Sequence, residues 1–379
     1  MESLPHHIVE RILERLEVKP LLRFKAVSKQ WRSTIESPFF QERQLKHRQQ
    51  SGDPDVLMVS AWRGSGKIES LSTLVLGSSS SVKIPTPWEE EDTQYLVSFN
   101  SCDGLVCLYN PLVSGFVVNP ATRWHRPLPL CGLQQLMVDL GNSYFELGHA
   151  LFKLGFGKDK FTGTYKPVWL YNSAEIGREN ATTCEVFDFS TNAWRYVTPA
   201  APYRLAVCAD PAFVDGSLYW FTDCEETKVV SLDLHTEAFQ VLSKAPFAAN
   251  PHRKDNPYEI VMCNLDNRLC VSEKKGSNQV IWSFNAGNKT WDKICSIDLD
   301  ITSIFYNSPT LCAFLPLALL DGKNKKTKKK NKNLLFYDLV KGRELLTLDP
   351  ENSSFVYVAF DAEHFFGYPV FYFQSLISI

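Results

Sequence analysis

Two hydrophobic rhythms divide the chain. Between residues 5 and 16, Ile8, Ile12 and Leu16 form one i, i+4 row and Val9 and Leu13 the next, with Glu10, Arg11, Glu14 and Arg15 opposite. This predicts an amphipathic helix with Pro5 in its first turn, where a missing N–H costs nothing. Pro20 opens a second short run with Leu21, Leu22, Phe24, Ala26 and Val27. Ser28 is the expected N-cap of a third helix carrying Trp31 and Ile35, which Ser37-Pro38 ends. Beyond about residue 52 the pattern becomes short alternating runs such as Val56-Leu57-Met58-Val59, Phe116-Val117-Val118 and Leu218 to Phe221, the signature of strands. The switch falls at Ser51-Gly52-Asp53-Pro54.

The strand-rich part repeats itself. VFDFSTNAW (186–194), SLDLHTEAF (231–239), SFNAGNKTW (283–291) and FYDLVKGRE (336–344) each place Asp or Asn between extended residues, with Trp194, Phe239, Trp291 or Glu344 six positions on. A looser copy surrounds Asn119 and Trp124. Positions 188, 233, 285 and 338 are separated by 45, 52 and 53 residues, a propeller-blade period. Asp103-Gly104, Asp215-Gly216 and Asp266-Asn267 precede three of the copies by 16 to 19 residues and supply the positive φ angles of tight hairpins. Each unit therefore reads strand, turn, strand, strand, Asx turn, aromatic-bearing strand, and the aromatic is expected to pack between neighbouring units. The length allows about six blades, a seven-bladed ring or open sandwich being the alternatives, with residues 55–62 pairing near the last blade to close the circle.

Composition fits this picture. Hydrophobic residues are 44%, charged residues 22% and aromatics 13%, which excludes a mostly disordered chain. A net charge of −2 points to neither nucleic acid nor an anionic membrane as partner. The balance is uneven, because seven of the ten residues from Lys323 to Lys332 are Lys, within a loop at 321–333 that reads as a solvated insertion or a nuclear-import signal. No secretory start is present, and the longest apolar run, Leu311 to Leu320, is about half the ~20 residues of a membrane span and contains Pro316. The ten Cys show no CxxC pair and read as small buried hydrophobes in a reducing compartment.

The helical segment is too small to bury a self-sufficient core, so its many apolar positions require a partner surface. The alternative is a helical cap packed on its own C-terminal domain. The run LPHHIVERILERLEVKPLLRFKAVSKQWRSTIESPFF resembles the F-box of plant F-box proteins through Leu-Pro, Ile-Leu-x-Arg-Leu, Leu-Leu-Arg-Phe-Lys, Val-Ser-Lys-x-Trp, Ile35 and Pro38-x-Phe. It departs at Glu17 and Pro20, and at His6-His7, where acidic residues are common. SCDGLVCLYNP (101–111), VVNPATRWHRPLP (117–129) and FGKDKFTGTYKPVWLY resemble the plant F-box-associated, kelch-like domain.

These resemblances imply an α+β multidomain chain: a three-helix F-box at 1–47, then an all-β propeller-like recognition domain at 48–379. They imply binding to a Skp-family adaptor through Leu4, Pro5, Ile8, Ile12, Leu13, Leu16, Leu21, Leu22, Val27 and Trp31, and through that adaptor to a cullin-RING ubiquitin ligase. The β domain would hold an unidentified protein substrate in the nucleus and/or cytoplasm. No catalytic, cofactor or metal residues are assigned. Gly64-Ser65-Gly66-Lys67 lacks the first Gly and the Ser/Thr of a phosphate loop, the His are dispersed, and the acidic run Glu89 to Asp92 reads as surface. A propeller-type enzyme and a non-degradative scaffold are the competing readings.

Overall fold

Pro5, Glu17, Ser28 and Ser37 stand in extended backbone immediately before four successive helices, α1 (His6–Leu13), α2 (Val18–Phe24), α3 (Lys29–Glu36) and α4 (Pro38–Ser51). The computed structural model describes residues 4–52, 54–61, 68–74, 81–84, 95–140, 152–177, 179–206, 209–247, 259–299, 314–322, 331–338, 345–349, 354–358 and 367–379. The run 64–67, the acidic run 89–92, most of the Lys-rich loop, Cys208, Cys312 and the end of the fourth repeat copy lie outside them.

The helical module departs from expectation in its helix count. The Ser28 hydroxyl accepts from the Trp31 amide at 3.1 Å, as an N-cap should. Pro20 lies in the first turn of α2, not at its start, and its missing N–H is again one of the unpartnered ones. The Ser-Pro that ends α3 also starts α4: the Ser37 hydroxyl accepts from Phe40 N at 3.3 Å and Pro38 is the first helical residue. The module therefore has four helices, and α4 runs through the expected 47/48 boundary to Ser51.

The strands build six four-stranded antiparallel sheets. The first holds β1 (Asp55–Ala61), β2 (Ile68–Leu74) and β3 (Ser81–Ile84); the second β4 (Leu96–Cys102), β5 (Leu105–Tyr109), β6 (Phe116–Asn119) and β7 (Trp124–Pro127). After α5 (Gly132–Leu140) come β8 (Leu154–Lys158), β9 (Tyr165–Asn172), β10 (Thr182–Asp188) and β11 (Ala193–Tyr196) in the third. The fourth is β12 (Ala212–Val214), β13 (Ser217–Phe221), β14 (Lys228–Asp233) and β15 (Phe239–Lys244). The fifth is β16 (Ile260–Asn264), β17 (Leu269–Lys275), β18 (Asn278–Asn285) and β19 (Thr290–Asp298). The sixth is β20 (Leu315–Gly322), β21 (Asn331–Tyr337), β22 (Leu345–Asp349) and β23 (Ser354–Val358). The last strand, β24 (Gly367–Tyr372), crosses back to pair with β1, Asp55 opposite Tyr372 and Val59 opposite Tyr368. Strands β24, β4, β8, β12, β16 and β20 are the innermost, each beside the next, and β20 meets β24 again. The result is a closed six-bladed propeller whose first blade is made from both ends of the β domain, as the expected pairing of residues 55–62 requires.

The repeat has a local cause. Asn119, Asp188, Asp233 and Asn285 each accept, through Oδ1, the backbone N–H two residues on, at 3.0, 2.8, 2.9 and 3.1 Å. Four residues after each, Arg123, Asn192, Glu237 and Lys289 take φ between 55° and 62°, which returns the chain into the outer strand. The three Asp-Gly or Asp-Asn pairs have positive φ at both residues, the geometry of a tight hairpin. Trp194 and Trp291 reach back to the preceding blade, donating to Pro129 O at 2.7 Å and Lys244 O at 3.0 Å. Trp124, one position earlier in its copy, packs instead with the cluster joining the second and third blades.

Each of the six seams has its own apolar cluster, from Leu57, Val106 and Val370 between the first and second blades to Met58, Leu335 and Tyr337 between the sixth and first. Burial pushes the Cys270 and Cys295 thiols up to about 11, and Cys102, Cys107, Cys131, Cys184 and Cys263 upward as well, so these act as neutral packing groups. No described helix is long and apolar enough to cross a membrane.

The Asx turns carry a pH consequence. Hydrogen bonds from the Ser190 hydroxyl and amide hold the Asp188 carboxyl below its ordinary value. A lowered folded-state value contributes stability above the unfolded carboxylate range, lost as pH falls through the folded-state value. Asp188→Asn keeps the accepting oxygen, as Asn119 and Asn285 do. Urea denaturation should find it within about 0.5 kcal/mol of wild type at pH 7. Below pH 4 its stability should fall less steeply with acid than wild type's.

Candidate adaptor-binding and recognition surfaces

The helices of the N-terminal module sort their apolar side chains into an inner and an outer set. Leu13, Val18, Leu21, Ile35 and Phe40 are buried together, with Val9, Leu16, Leu22, Phe24 and Trp31 packed around them. The Phe24 and Trp31 rings meet edge to face, centroids 5.6 Å apart. Glu14 pairs with Arg43 and Gln44 donates to Leu16 O at 3.0 Å, so α4 braces the end of α1. His6 meets Thr34 at 3.0 Å and ties the start of α1 to α3.

Outside this core, Leu4, Ile8, Ile12, Val27 and Phe39 are exposed by 63, 39, 50, 58 and 69%. Ile8 and Ile12 form one i, i+4 row along α1, and Leu4 stands just before its N-cap Pro5. Of the ten residues assigned to the adaptor, Leu4, Pro5, Ile8, Ile12 and Val27 are exposed, and Leu16, Leu22 and Trp31 are partly covered. Leu13 and Leu21, at 1% and 0% exposure, are corrected to structural core. One helical position separates Ile12 from Leu13, and that 100° rotation decides which side chain faces out. Phe39, absent from the assigned set, is the most exposed of the five and lies under the Arg43 guanidinium, 5.1 Å from its ring centre. A polar fringe adjoins the patch, with Glu36 paired to Arg32 at 3.2 Å and Lys25 at 3.4 Å. The Arg32 hydrogen bond is the main cause that holds the Glu36 carboxyl below its ordinary value.

Magnitudes limit what the exposed set can do. Each side chain is about half exposed, so covering all five contributes roughly 4–8 kcal/mol gross. Association costs about 4–15 kcal/mol in lost freedom. A stable complex must therefore also cover the half-buried Leu16, Leu22 and Trp31.

The propeller has two unlike ends. Hairpins between first and second strands and Asx turns between third and fourth strands lie at one end, where α4 enters at Asp55 and the chain leaves β24. Second-to-third turns and inter-blade connections lie at the other. There α5 is held by a buried carboxylate: Glu185 accepts Gly132 N at 2.7 Å and Leu133 N at 2.8 Å, and the Tyr171 hydroxyl at 2.9 Å. Negative charge at a helix N-terminus is favourable, and burial pushes the Tyr171 hydroxyl up, so it remains a donor. A Cβ at Gly132 would fall 2.4 Å from the Tyr196 hydroxyl. Val138 on this helix is 46% exposed, and Leu130, two residues before it begins, is 38% exposed. At the same end Lys153 and Asp210 pair at 3.1 Å; burial works against the Lys153 ammonium, and the Asp210 charge more than reverses it.

The central channel holds a cavity of ≈ 50 Å³ lined by Asn100, Asp210, Met262, Leu317 and Phe371 among others. Asn100 spans it, donating to Pro211 O at 2.6 Å and accepting from Phe213 N at 3.1 Å. Toward the helical module the channel opens into a cavity of ≈ 550 Å³ bordered by Gln49, Asp103, Asp266 and Lys332.

Comparison with known proteins agrees with this architecture. The F-box domain family matches residues 1–42 and the F-box associated beta propeller domain family residues 58–379. The chain is 67% identical over 383 residues to an F-box/LRR-repeat/kelch-repeat protein of Arabidopsis thaliana, covering 100% of this chain and 97% of that one. It is 50% identical over 411 residues to an F-box protein of Arabidopsis thaliana, covering 100% of both. The chain belongs to the plant F-box proteins, with an F-box at its N-terminus and an F-box associated β-propeller after it.

Proposed function

We propose that this chain is the substrate-recognition subunit of an SCF-type cullin-RING ubiquitin ligase, acting in the nucleus and/or cytoplasm. The observation that carries this reading is the exposed apolar row Ile8 and Ile12, with Leu4, Val27 and Phe39, on a module whose own core is already filled by Leu13, Leu21 and Ile35. A Skp-family adaptor would cover that row and link it to the cullin. The end of the propeller remote from the F-box, with α5 and the inter-blade connections, would hold the protein substrate and place its lysines near the charged ubiquitin-conjugating enzyme, a gain in effective concentration and not bond chemistry.

An enzymatic propeller would need free polar groups in its channel; Asp210 is committed to Lys153, and Asn100 to backbone groups. Experiment separates the adaptor, enzyme and scaffold readings. In cells, proximity labelling around the full chain is expected to enrich a set of proteins when the proteasome is blocked. Reconstitution with adaptor and cullin-RING core should then ubiquitinate members of that set. Enrichment indifferent to the block, with no transfer in the reconstituted system, would favour the scaffold.

A further inference from the structure

After β24 the chain has no regular structure, yet residues 375–377 are as buried as the propeller core: Ser375 is 0%, Leu376 4% and Ile377 7% exposed. The three side chains go to different places. Leu376 enters the apolar core of the F-box, and Ile377 joins the cluster between the second and third blades, to which α4 contributes Leu45. Ser375 sits over the Asp103-Gly104 hairpin, where a Cβ on Gly104 would come within 2.5 Å of Phe373 O and 2.6 Å of Ser375 Oγ. At the start of the segment Gln374 donates to Asp55 Oδ2 at 2.9 Å, the point where α4 gives way to β1.

One side chain reads this segment. Asn119 Oδ1 makes the Asx turn of its blade, as Asp188 and Asp233 do in theirs. Its Nδ2 donates to Ser375 O at 3.0 Å, Ser375 Oγ at 3.2 Å and Ile377 O at 2.8 Å. The turn needs only the acceptor; the amide is needed for the segment. We propose that residues 373–379 form a splint between F-box and propeller, latched by Asn119, that fixes how the two domains are oriented. The bearing of that orientation on ligase geometry rests on the role proposed above; the splint itself does not.

Asn119→Asp in the full chain separates turn from latch, since Asp makes the same turn elsewhere but sets a carboxylate against two carbonyls. Hydrogen exchange read by mass spectrometry should show residues 373–379 exchanging faster by about 10- to 100-fold, for the two lost hydrogen bonds to the Ser375 and Ile377 carbonyls. Peptides of α1 and α2 should follow, those of β16 to β19 should remain as in wild type, and small-angle scattering should report a larger maximum dimension. Leu376→Asp, which leaves Asn119 and its turn intact, should give the same pattern at α1 and α2. Unchanged exchange in 373–379, a released segment with unchanged F-box exchange, or loss of protection throughout the propeller in both variants would each overturn the splint. Adaptor binding by Asn119→Asp, which leaves every F-box side chain in place, is read separately: affinity within about threefold of wild type is expected, and failure of wild type to bind would overturn the ligase role and leave the splint standing.

Discussion

Replacing Ile8 and Ile12 together by Asp is expected to remove adaptor binding while leaving the protein folded. Both side chains are already 39% and 50% exposed, so the carboxylates remain in water in the free chain and the F-box core of Leu13, Leu21 and Ile35 is untouched. In the complex the same carboxylates would be desolvated against apolar surface. The loss should reach about 3–5 kcal/mol, roughly a hundredfold to several thousandfold in Kd. Leu13→Asp, one position away, should behave differently: at 1% exposure it puts a charge inside the module, and loss of binding there should come with loss of helical signal. Titration calorimetry with far-UV circular dichroism on both variants distinguishes surface from core.

Val370→Asp should be the most damaging single change to the propeller. Val370 lies in β24 opposite Leu57, fully buried in the seam between the first and second blades, and β24 is the strand that closes the ring. An unpaired buried carboxylate costs more than about 4 kcal/mol, and about 6 °C or more in Tm for a domain of roughly 330 residues. Because β24 also leads into residues 373–379, F-box protection should fall with it. Val241→Asp, on the outer strand β15 and 40% exposed, should shift stability by no more than about 0.5 kcal/mol. Equal effects of the two would mean that ring closure is not what holds the blades.

What could be read from the sequence was whatever repeats or has a period. The Asx positions at 188, 233 and 285 gave the blade spacing because each turn solves the same local problem with the same side-chain acceptor, and the Asp-Gly pairs gave the hairpins because few other pairs tolerate positive φ twice. Helix α4 was missed because QERQLKHRQQ carries a single apolar residue, Leu45, and no stripe; its start signal, Ser37-Pro38, was seen only as a stop. Helix α5 was missed too, since the buried Glu185 that seats it comes 53 residues after Gly132.

The F-box surface was half legible. Periodicity identifies the apolar stripes of α1 but not which stripe its own neighbours cover, and so Leu13 and Leu21 were assigned outward. The small module's shortage of core points to a covering surface, and part of that surface lies within the chain, at Leu376. To that extent the alternative of a cap packed on its own C-terminal domain describes one side of the F-box, and the exposed row describes the other. Residues 373–379 carry no periodicity at all, because a coil held by side-chain donors leaves no pattern in its own sequence.

The exposed row on the F-box is proposed as an adaptor contact. Mixing the purified full-length chain with a Skp-family adaptor and measuring mass by light scattering tests it directly. A single one-to-one species is expected, absent with the Ile8, Ile12 double variant; a wild-type chain that stays monomeric beside the adaptor, with its propeller folded, would contradict it.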